Sequence, residues 1–467
     1  MKKFDIIVVG AGSAGLNVAV FMNMAGFKVL LIEKHDTNIG GDCLNFGCIP
    51  SKSLIHIARE VASARNTRHF GYSFEGTADI KKVTDHIKHV QNNIRQHENA
   101  DYFRKQGLTI ELGKADFISP KIIEVNSNQY TARKIVIATG SRPRMLNKDV
   151  LNELELDEAK LYTNETIFSI SFLPKHLIII GGGPIGIELG QAFLFLGSKV
   201  TILQKGDRIL PKEDTEISSV LHSQLTTQGM DIQCNVELKD KKELLANADA
   251  VLVAVGRSLN IEHLNLEKAG IKKTEDGSKI IVDSYLRTTN KHVLLCGDIV
   301  GQHQFTHAAE LHASLILNNF FVPWPFKKKL NTDHLSWVTY TTPEVATFGL
   351  SEQELKKRNR AFTVVTTNFS NDDRAITDGY TYGLSKLFVS NRGKIYGGSM
   401  VAPHAGELIQ ELILANTLNL KLKDLFKKTY PYPTATRINR ETALKEFLKK
   451  LSPFTKKILA VAFNFNK

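Results

Sequence analysis

Two glycine-rich segments, each preceded by a short apolar run, dominate the hydropathy pattern of the chain. FDIIVVGAGSAG (4–15) and HLIIIGGGPIG (176–186) each predict a buried strand, a GxGxxG turn and a helix. Glycines allow a tight turn, a close approach of backbone to a pyrophosphate and close helix-on-strand packing, and the helix N-terminus favours phosphate. The pattern predicts two dinucleotide-binding domains. Their glycines are Gly10, Gly12, Gly15, Gly181, Gly183 and Gly186.

The second strand of each repeat indicates which nucleotide it binds. KVLLIEK ends at Glu33, 18 residues after the last glycine, where a carboxylate accepts hydrogen bonds from adenine ribose hydroxyls. KVTILQK places Gln204 at the same offset, followed by Lys205 and Arg208. Loss of the acid beside two cations favours a ribose 2′-phosphate, so we predict NADPH at the second site. NADH beside a solvated lysine is the alternative.

Length and composition predict a globular protein of several domains. At 467 residues the chain exceeds one ordinary core, and 42% hydrophobic with 23% charged residues is an ordinary globular composition. No apolar run approaches the roughly 20 residues that span a bilayer. The start, MKKFDIIVVGAG, reads as a strand and not as a signal peptide. We expect a soluble, cytoplasmic protein.

The basic charge is concentrated near the C-terminus. The net charge is +12, and residues 437–467 hold eight Lys or Arg and two Glu, a net +6. This distribution favours a specialised tail over a nucleic-acid groove. Pro453 divides the segment into two predicted helices, and the second has an apolar face beside two lysines, which suits an interfacial contact with acidic lipid. Packing on its own domain or on a dimer partner is the alternative. The residues of this face are Phe454, Ile458, Val461 and Phe465, beside Lys456 and Lys457.

A cysteine pair lies in GGDCLNFGCIPSK (40–52). Cys43 and Cys48 would point apart on a regular helix, so they can form a disulfide only where the segment is irregular, which Gly47 and Asn45 permit. Zinc would need two more soft ligands nearby, and the segment offers none, so we predict no metal site. Four scattered cysteines do not form a secreted disulfide framework. The pair is predicted to be redox-active.

The remaining cysteines and the two nucleotide sites complete the predicted chemistry. Cys234 and Cys296 each follow a strand pattern and are predicted to be buried, inert thiols. A nicotinamide delivers two electrons as hydride, and a flavin can accept them and pass them to a disulfide. Two dinucleotide sites with one redox pair therefore predict an electron route from nicotinamide through flavin and the cysteines to an outside acceptor.

The order of the motifs resembles that of the pyridine nucleotide-disulfide oxidoreductases, which include dihydrolipoamide dehydrogenase, glutathione reductase and mercuric reductase. The resemblance covers the chain up to about residue 436. The motifs that carry it, besides the two glycine-rich segments and the cysteine segment, are KIVIATGSRP, VAVGR, CGDI, THAA and YTTPEVATFG.

The resemblance implies roles for individual residues. Glu33 would hold the adenosine of FAD, and Asp298 would meet the ribityl chain. Cys48 would lie nearest the flavin and Cys43 would exchange with the acceptor. Lys52 would lie beside flavin N5 and stabilise the reduced flavin, with an ion-pair partner on the second nucleotide helix. That partner is Glu188, and further cofactor contacts are implied for Thr139, Gly140, Gly256 and Ala308.

The chain departs from the family near its C-terminus. Members that reduce dithiols carry HPTxxE there, and this chain has YPYPTATR, with Tyr432 at the histidine position and Arg437 at the glutamate position. Tyrosine titrates near 10 and is a poor base at neutral pH, although it can donate a hydrogen bond or hold a metal-thiolate. Mercuric reductases also have tyrosine there, but the C-terminal cysteine pair that they use is missing from this chain. Arg437 could recognise an anionic acceptor, or pair with Glu441 one turn later.

We therefore expect an α/β protein with two Rossmann-like domains, for FAD and NAD(P)H, and a C-terminal α+β dimerisation domain. The leading hypothesis is a homodimeric NAD(P)H-dependent flavoprotein that reduces a disulfide, metal ion or quinone-like acceptor. The alternatives are a diaphorase that reduces its acceptor at the flavin, and a membrane- or partner-associated redox sensor. The expected domains are 1–150 with 275–325 for FAD, 151–274 for NAD(P)H, 335–450 for the interface, and 451–467 as a basic amphipathic tail.

Overall fold

The structure, a computed structural model, describes residues 1–449 and 451–465. The last residue of the expected interface domain, 450, and the end of the expected tail, 466–467, lie outside the described residues. The chain divides into two units: Met1–Lys205 with Met230–Leu330, and Gly206–Gly229 with the chain from Asn331 onwards. Both units mix helices and strands, which confirms the predicted α/β class.

Strands run through both units. The described strands are β1 Lys2–Val9, β2 Val29–Glu33, β3 Thr109–Leu112, β4 Asp116–Ser119, β5 Ile122–Val125, β6 Asn128–Ile137, β7 Ser141–Pro143, β8 Leu161–Tyr162, β9 His176–Ile180, β10 Lys199–Leu203, β11 Asp231–Gln233, β12 Ala250–Val253, β13 Arg257–Leu259, β14 Val293–Leu295, β15 Ser336–Thr339, β16 Glu344–Gly349, β17 Thr363–Asn368, β18 Leu384–Val389 and β19 Ile395–Ala402.

Helices connect most of these strands. The described α-helices are α1 Ser13–Met24, α2 Gly41–Asn45, α3 Cys48–Asn66, α4 Ile80–Arg95, α5 Ala100–Lys105, α6 Lys148–Glu153, α7 Pro184–Leu196, α8 Thr215–Thr227, α9 Lys242–Ala246, α10 Thr306–Phe321, α11 Glu352–Lys357, α12 Asp373–Asp378, α13 Ala405–Leu408, α14 Gln410–Thr417, α15 Arg437–Lys449 and α16 Pro453–Phe465.

The first glycine-rich segment opens a seven-stranded sheet of order β3-β2-β1-β6-β5-β4, with β14 also paired to β6. Strands β3, β2, β1, β6 and β14 are parallel, and β4 and β5 continue the sheet antiparallel. Ile6 faces Val29 on one side and Lys134 on the other. The central strands are runs of fully buried Val, Ile and Leu because helices cover both faces of a parallel sheet.

The second glycine-rich segment opens a five-stranded parallel sheet of order β11-β10-β9-β12-β8. Its middle strand, HLIII, is buried from Leu177 to Ile180. Both sheets therefore place their glycine-rich turn at the carboxyl end of a central strand, where doubly wound folds bind nucleotides. The two sheets belong to the same unit.

The 75 residues between β2 and β3 hold the cysteine segment and helices α2, α3, α4 and α5. Helix α3 packs on α4 and on α7 of the second nucleotide segment. Since Gly40 also forms a backbone bridge with Gly12 of the first turn, the cysteine segment is anchored to both nucleotide segments of the first unit.

The second unit contains an antiparallel sheet of order β15-β16-β19-β18-β17, covered by α13, α14 and α15. Helix α8, within 206–229, packs on β18 and β19 of this sheet. This segment lies within the range expected for the NAD(P)H domain, and in the structure it groups with the C-terminal unit. A search of the described helices finds none with the length and apolarity that a membrane crossing requires.

Candidate active site

The first nucleotide turn is built by close backbone contacts. Gly10 has φ +104°, and a Cβ there would collide with the carbonyl of Ala138. A Cβ on Gly15 would collide with the carbonyl of Gly10, so the helix can lie this close only without one. The Glu33 carboxylate accepts hydrogen bonds from the backbone N–H of Ala11 at 2.7 Å and of Lys34 at 2.6 Å. Glu33, at the carboxyl end of β2, thus fixes the glycine-rich turn that follows β1.

The second nucleotide turn repeats this arrangement. Gly181 has φ +114°, and a Cβ there would collide with the carbonyl of Ala254. Gln204 takes the place of Glu33, and its Oε1 accepts the backbone N–H of Gly182 at 2.8 Å. Gly186 has no room for a Cβ against the Gly181 carbonyl.

Both turns fit a dinucleotide. Helices α1 and α7 start after Gly12 and Gly183, and neither residue caps the helix with a side-chain hydrogen bond. The N–H groups of the first turn of α1 are thus available to an anion, as are those of α7 after Pro184, which itself has no N–H. A Cβ built on Gly183 meets nothing within 4 Å, and one on Gly12 meets only the Cα of Gly41, at 3.5 Å. Both loops therefore leave space where a pyrophosphate would approach the backbone.

The cysteine segment is irregular between its two cysteines. Helix α2 ends at Asn45 and α3 starts at Cys48, with Gly47 between them at φ −118°, ψ −112°. Gly47 is required there because a Cβ would lie 2.8 Å from the carboxylate of Asp42. This break carries Cys48 back towards Cys43, and both are half-buried free thiols. The expectation that an irregular segment brings the two thiols together is met.

Side chains from elsewhere in the fold hold this break. Gln91 of α4 donates to the carbonyls of Leu44 and Asn45 at 2.9 Å. Asn164 donates to the carbonyl of Phe46 at 3.1 Å. The carbonyls left over where α2 stops are thereby satisfied.

The two thiols have opposite electrostatic environments. The side-chain hydrogen bond between Cys43 and Cys48 raises the pKa of Cys43 far above its ordinary value, with burial adding to the effect. The same bond lowers the pKa of Cys48 to about 6, against burial and with help from Thr306 and the positive charge of Lys52. The Thr306 Oγ1 lies 3.4 Å from the Cys48 Sγ. At neutral pH the pair is a Cys43 thiol that donates to a Cys48 thiolate.

Lys52 and Glu188 join the two nucleotide segments. The Lys52 Nζ lies 2.8 Å from the Glu188 Oε2, and the Glu188 side chain is 8% exposed. Lys52 stands one turn after Cys48 on α3, and Glu188 is in the second turn of α7. The ammonium also donates to the hydroxyl of Ser51 at 3.3 Å. The predicted ion pair is therefore present next to the thiolate.

A network of charged groups surrounds Asp298. Its Oδ2 accepts the hydroxyl of Ser141 at 2.6 Å and lies 3.9 Å from the Arg257 Nε. Burial raises the pKa of Asp298, and the Ser141 hydrogen bond opposes that rise. Arg257 also pairs with Asp42 at 3.0 Å, and Asp42 directly precedes Cys43 in the chain. The network thus links the cysteine segment to the predicted ribityl site.

The remaining predicted cofactor residues line neighbouring loops. The Thr139 hydroxyl donates to the carbonyl of Asn260 at 2.7 Å, and the backbone N–H of Asn260 donates to the Gly140 carbonyl at 3.0 Å. Gly256 has φ +119°, and its carbonyl accepts the N–H of Arg144. Ala308 is buried in the first turn of α10. These residues order the loops at the carboxyl ends of β6, β12 and β14.

The predicted 2′-phosphate cations have other contacts. The Lys205 side chain is 85% exposed and its Nζ lies 3.8 Å from Glu237. Arg208 belongs to the second unit, where its guanidinium donates to the Pro211 carbonyl at 2.8 Å and lies 3.7 Å from Asp207. Lys205 belongs to the first unit and Arg208 to the second, so no contact inside one unit joins the two cations.

Three residues near the thiols were absent from the predicted site. Thr306, Arg257 and Asp42 all lie inside motifs that the sequence displays, THAA, VAVGR and GGDC. The signal was a polar residue within an otherwise glycine- or alanine-rich motif. One prediction about the other cysteines is wrong: Cys296 is fully buried, but Cys234 is half-buried because β11 ends one residue before it.

In the C-terminal stretch of the second unit, Tyr432 contacts Asp373, and Arg437 contacts the ring of Tyr432. Tyr432 is 67% exposed, and its hydroxyl lies 3.2 Å from the carboxylate of Asp373. That hydrogen bond raises the pKa of Tyr432. Arg437 stacks on the Tyr432 ring, 5.2 Å from its centroid, and no ion pair with Glu441 is found among the described residues. Burial, then the charge of Asp372, raises the pKa of Glu441.

Comparison with known proteins decides the family. The model of the pyridine nucleotide-disulphide oxidoreductases matches residues 4–313, and the dimerisation domain of the same family matches 335–443. The chain belongs to this family. FAD and NAD(P)H are therefore its cofactors, and it is an oxidoreductase. The dimerisation domain supports a homodimer.

The individual relatives are named for different activities. A mercuric reductase of Staphylococcus aureus is 31% identical over 92% of this chain and 80% of its own length. A dihydrolipoyl dehydrogenase of Buchnera aphidicola is 32% identical over 92% of this chain and 93% of its own. A Cu(II) complex of RclA, an HOCl-induced flavoprotein disulfide reductase of Escherichia coli, has TM-score 0.79 and 25% identity over 95% of this chain and 100% of its own.

Proposed function

We propose that this family member uses NAD(P)H to reduce an outside acceptor through the Cys43–Cys48 pair. The observation that carries the proposal is the thiol–thiolate pair itself, with the pKa of Cys48 lowered to about 6 next to Lys52. A low thiol pKa in a partly exposed electropositive site is characteristic of reactive cysteines. The acceptor is a disulfide, a soft metal ion or a quinone-like compound.

The protein's part in the reaction is to hold two sulfurs and one charge. Bound FAD would supply the two-electron chemistry between NAD(P)H and sulfur, with the first turn and Asp298 holding it. Thr306 and Lys52 keep Cys48 as thiolate, and its hydrogen bond from Cys43 fixes the distance between the sulfurs. Lys52 with Glu188 places a positive charge that favours electron-rich groups beside it.

A disulfide acceptor would be reduced in two exchanges. Cys43, once deprotonated, forms a mixed disulfide with one acceptor sulfur and displaces the other as thiolate. The Cys48 thiolate then forms the Cys43–Cys48 disulfide and displaces the second acceptor sulfur. The proton of Cys43 and one proton from solvent end on the product thiols, and the enzyme pair carries the oxidation until NAD(P)H restores it. The first exchange needs a base for the Cys43 proton.

The C-terminal stretch favours an acceptor that needs little base catalysis. Tyr432 replaces the family's histidine, and the hydrogen bond to Asp373 makes this phenol a weaker acid still. A soft metal ion binds thiolates directly and displaces the proton itself. The mercuric reductases and the Cu(II) complex of RclA are relatives whose names fit a metal acceptor. Arg437, next to Tyr432, would attract an anionic form of the acceptor.

The second site is proposed to prefer NADPH. Gln204 offers an amide where the first site offers a carboxylate, and Lys205 follows with its ammonium largely exposed. An amide and a cation suit a 2′-phosphate better than two ribose hydroxyls.

Changing Cys43 to serine tests the proposal. FAD-loaded protein would be supplied with NADPH and a panel of disulfides, Hg(II), Cu(II) and quinones. We expect acceptor reduction to fall at least about a hundredfold, as for removal of a nucleophile, while NADPH still bleaches the flavin. Cys234→Ser is the matched control and should keep full activity. Retained turnover in the Cys43 variant would favour the diaphorase, and no turnover with any acceptor in the parent would favour the redox sensor.

The C-terminal helix α16 is proposed to contact a membrane surface. No residue of this helix is buried, and Phe454, Ile458 and Phe465 are 72%, 51% and 86% exposed beside Lys456 and Lys457. Such a helix suits an acidic lipid surface. Because α16 buries nothing, a chain that ends at Ser452 should fold, and it should co-sediment less with anionic vesicles than the whole chain. Equal co-sedimentation of the two chains would indicate instead that α16 packs on the dimer partner.

A further inference from the structure

A second cluster of exposed aromatic side chains lies far along the chain from α16. Residues 321–329, from the last residue of α10 onwards, read FVPWPFKKK, and we name them the aromatic loop. Its three aromatic residues are Phe321, Trp324 and Phe326, which are 53%, 62% and 74% exposed. Single exposed apolar residues are ordinary, but adjacent ones indicate a binding surface.

The aromatic loop is a closed structure rather than a loose end. The buried side chain of Asn319 donates to the carbonyl of Lys328 at 2.8 Å and accepts its N–H at 2.9 Å. The N–H of Phe326 donates to the carbonyl of Pro323 at 3.0 Å. The N–H of Leu330 donates to Ser284 at 2.7 Å. These bonds close the loop at its base and leave the aromatic side chains displayed.

Two aromatic contacts hold the rings of the aromatic loop against other residues of the first unit. The ring of Phe321 lies 5.8 Å from that of Phe27, and the ring of Trp324 lies 5.5 Å from that of Tyr285. Each of these loop aromatics is half or more exposed in spite of its neighbour. The outer faces of the two rings are therefore held in place towards solvent.

Basic groups surround the aromatic loop. Lys327, Lys328 and Lys329 end it, and residues 320–330 contain no acid. The pKa of Lys134 is lowered by burial and then by the positive charges of nearby cations, one of which is Lys327. The other two are Arg287 and Lys121. Among the described ion pairs, the acid that contacts these cations is Asp283, which binds Arg287 and also Lys291. The surroundings of the loop carry an excess of positive charge.

We propose that the aromatic loop is a docking surface for a bilayer with anionic phospholipid headgroups. Exposed Trp and Phe rings on a loop closed by its own hydrogen bonds suit the headgroup level of a membrane, and adjacent lysines are attracted to an anionic leaflet. Single-stranded nucleic acid, by contrast, binds to aromatic side chains that follow one another along a basic groove. The inference lies wholly within the first unit, and it depends neither on the acceptor nor on α16.

The test uses the FAD-loaded full chain with vesicles of phosphatidylcholine, with or without phosphatidylglycerol. Replacing Lys327, Lys328 and Lys329 by glutamine should weaken binding to the anionic vesicles about a hundredfold at low salt, since each lysine contributes about fivefold. The matched control replaces Lys148, Lys239 and Lys268 by glutamine, which removes the same charge; these lysines are exposed, as Lys328 and Lys329 are, whereas Lys327 is half-buried. The control should bind nearly as the parent does. Equal loss in both variants would overturn the proposal, because it would show an effect of net charge alone.

Tryptophan emission separates the aromatic loop from α16. The chain has two tryptophans, and Trp337 is half-buried with its Nε1 2.5 Å from Glu213. Vesicles with brominated acyl chains should quench the parent more than Trp324→Phe, because Trp324 reaches the lipid. Binding with equal quenching in the two proteins would assign the contact to α16 and overturn the proposal.

A last variant tests for a protein partner instead of lipid. Trp324→Ser with Phe326→Ser should leave the sedimentation coefficient of the homodimer unchanged while vesicle binding falls. Conversion of the dimer to a monomer would show that the loop is covered by the second copy, which would overturn the proposal. Tighter binding of the parent to single-stranded DNA than to anionic vesicles would do the same.

Discussion

The two nucleotide segments of the first unit form the same turn with the same bond, and they differ in the side chain that makes it. Glu33 accepts the N–H of Ala11, and Gln204 accepts the N–H of Gly182. In each case one oxygen accepts from the turn. The second oxygen of Glu33 already accepts the N–H of Lys34 and can accept a further hydrogen bond, whereas the second polar atom of Gln204 is an N–H₂ donor.

That difference teaches how one fold can bind two nucleotides. The backbone needs only one acceptor at the end of the second strand, and both residues supply it. The remaining atom differs in kind: an acceptor suits ribose hydroxyls and a donor suits a phosphate. The turn is therefore shared, and under the proposed preference for NADPH this one atom is what would distinguish the nucleotides.

The largest expected effect comes from closing either turn with a Cβ. Gly10→Ala and Gly181→Ala each push a methyl group against a carbonyl, at φ values that disfavour alanine. We expect Gly10→Ala to purify without flavin. Gly181→Ala should keep its flavin and lose reduction by NADPH at least about a hundredfold, since binding energy is lost in that site alone. Flavin absorbance and stopped-flow bleaching measure the two effects.

The comparison fails if the two glycine variants behave alike. Gly26→Ala is the control, because a Cβ there meets nothing within 4 Å although its φ is +86°. It should retain both flavin and reduction by NADPH.

The next effect concerns Cys43 and Cys48, the two thiols of the cysteine segment. Because the pKa of Cys48 is lowered to about 6, its thiolate predominates above that pH and is lost as the pH falls through it. The alkylation rate of Cys48 in reduced protein should follow that curve. Cys43→Ala removes the hydrogen bond that is the largest cause, so the midpoint should rise towards about 8.5, with roughly a hundredfold less thiolate at pH 6.

Alkylation would be followed by peptide mass spectrometry between pH 4 and pH 10, the range that brackets about 6 and about 8.5. Thr306→Val should move the midpoint in the same direction by less, because its hydrogen bond is a smaller cause. A midpoint near 8.5 in the parent would contradict the assignment of Cys48 as thiolate.

A moderate effect is expected from the ion pair that joins the two segments. Lys52→Met leaves the buried charge of Glu188 without the ammonium 2.8 Å away, and should cost about 1–3 kcal/mol of unfolding free energy. This cost is smaller than that of breaking a fully buried ion pair, because the Lys52 side chain is 38% exposed. Urea unfolding of the flavin-loaded protein measures it.

The matched control is Lys81→Met, which breaks an exposed pair with Asp85 and should leave the urea midpoint nearly unchanged. Adding Glu188→Leu to Lys52→Met should recover part of the loss, because no buried charge then remains. An equal cost in the Lys52 and Lys81 variants would mean that the pair does not tie the segments together.

The smallest effect is a change of coenzyme preference. Gln204→Glu keeps an acceptor for the Gly182 N–H and replaces the donor by a second acceptor. We expect the ratio of kcat/KM for NADPH to that for NADH to fall about tenfold, the effect of one charged hydrogen bond. Gln233→Glu, on the neighbouring strand, is a control for added negative charge. An unchanged ratio in Gln204→Glu would remove this residue from specificity.

The parts of the fold that depend on short spacings could be predicted from the sequence. The two turns, the break between Cys43 and Cys48, and the break at Pro453 between α15 and α16 all follow from residues within a few positions of one another. Lys52 and Glu188 were paired through the family resemblance, since 136 residues separate them. No local pattern would have joined them.

Long-range contacts set the features that were missed. Thr306 reaches Cys48 across 258 residues, and its own neighbours in the sequence give no sign of a thiol. Arg257 meets Asp42 through loops at the ends of different strands. Cys234 lies one residue past the end of β11, so an alternating pattern alone overstated its burial. Each case depends on which loops the sheets bring to the same edge.

One contact has a practical meaning for anyone who wishes to redesign this enzyme. Gly12 of the nucleotide turn forms a backbone bridge with Gly40, and a Cβ on Gly41 would lie 2.6 Å from the Cα of Gly12. The turn and the start of the cysteine helix therefore touch through main chain alone. A chimera should inherit residues 10–15 and 40–48 as one block, because a donor that brings only one of them imports a mismatch no side-chain repair can relieve.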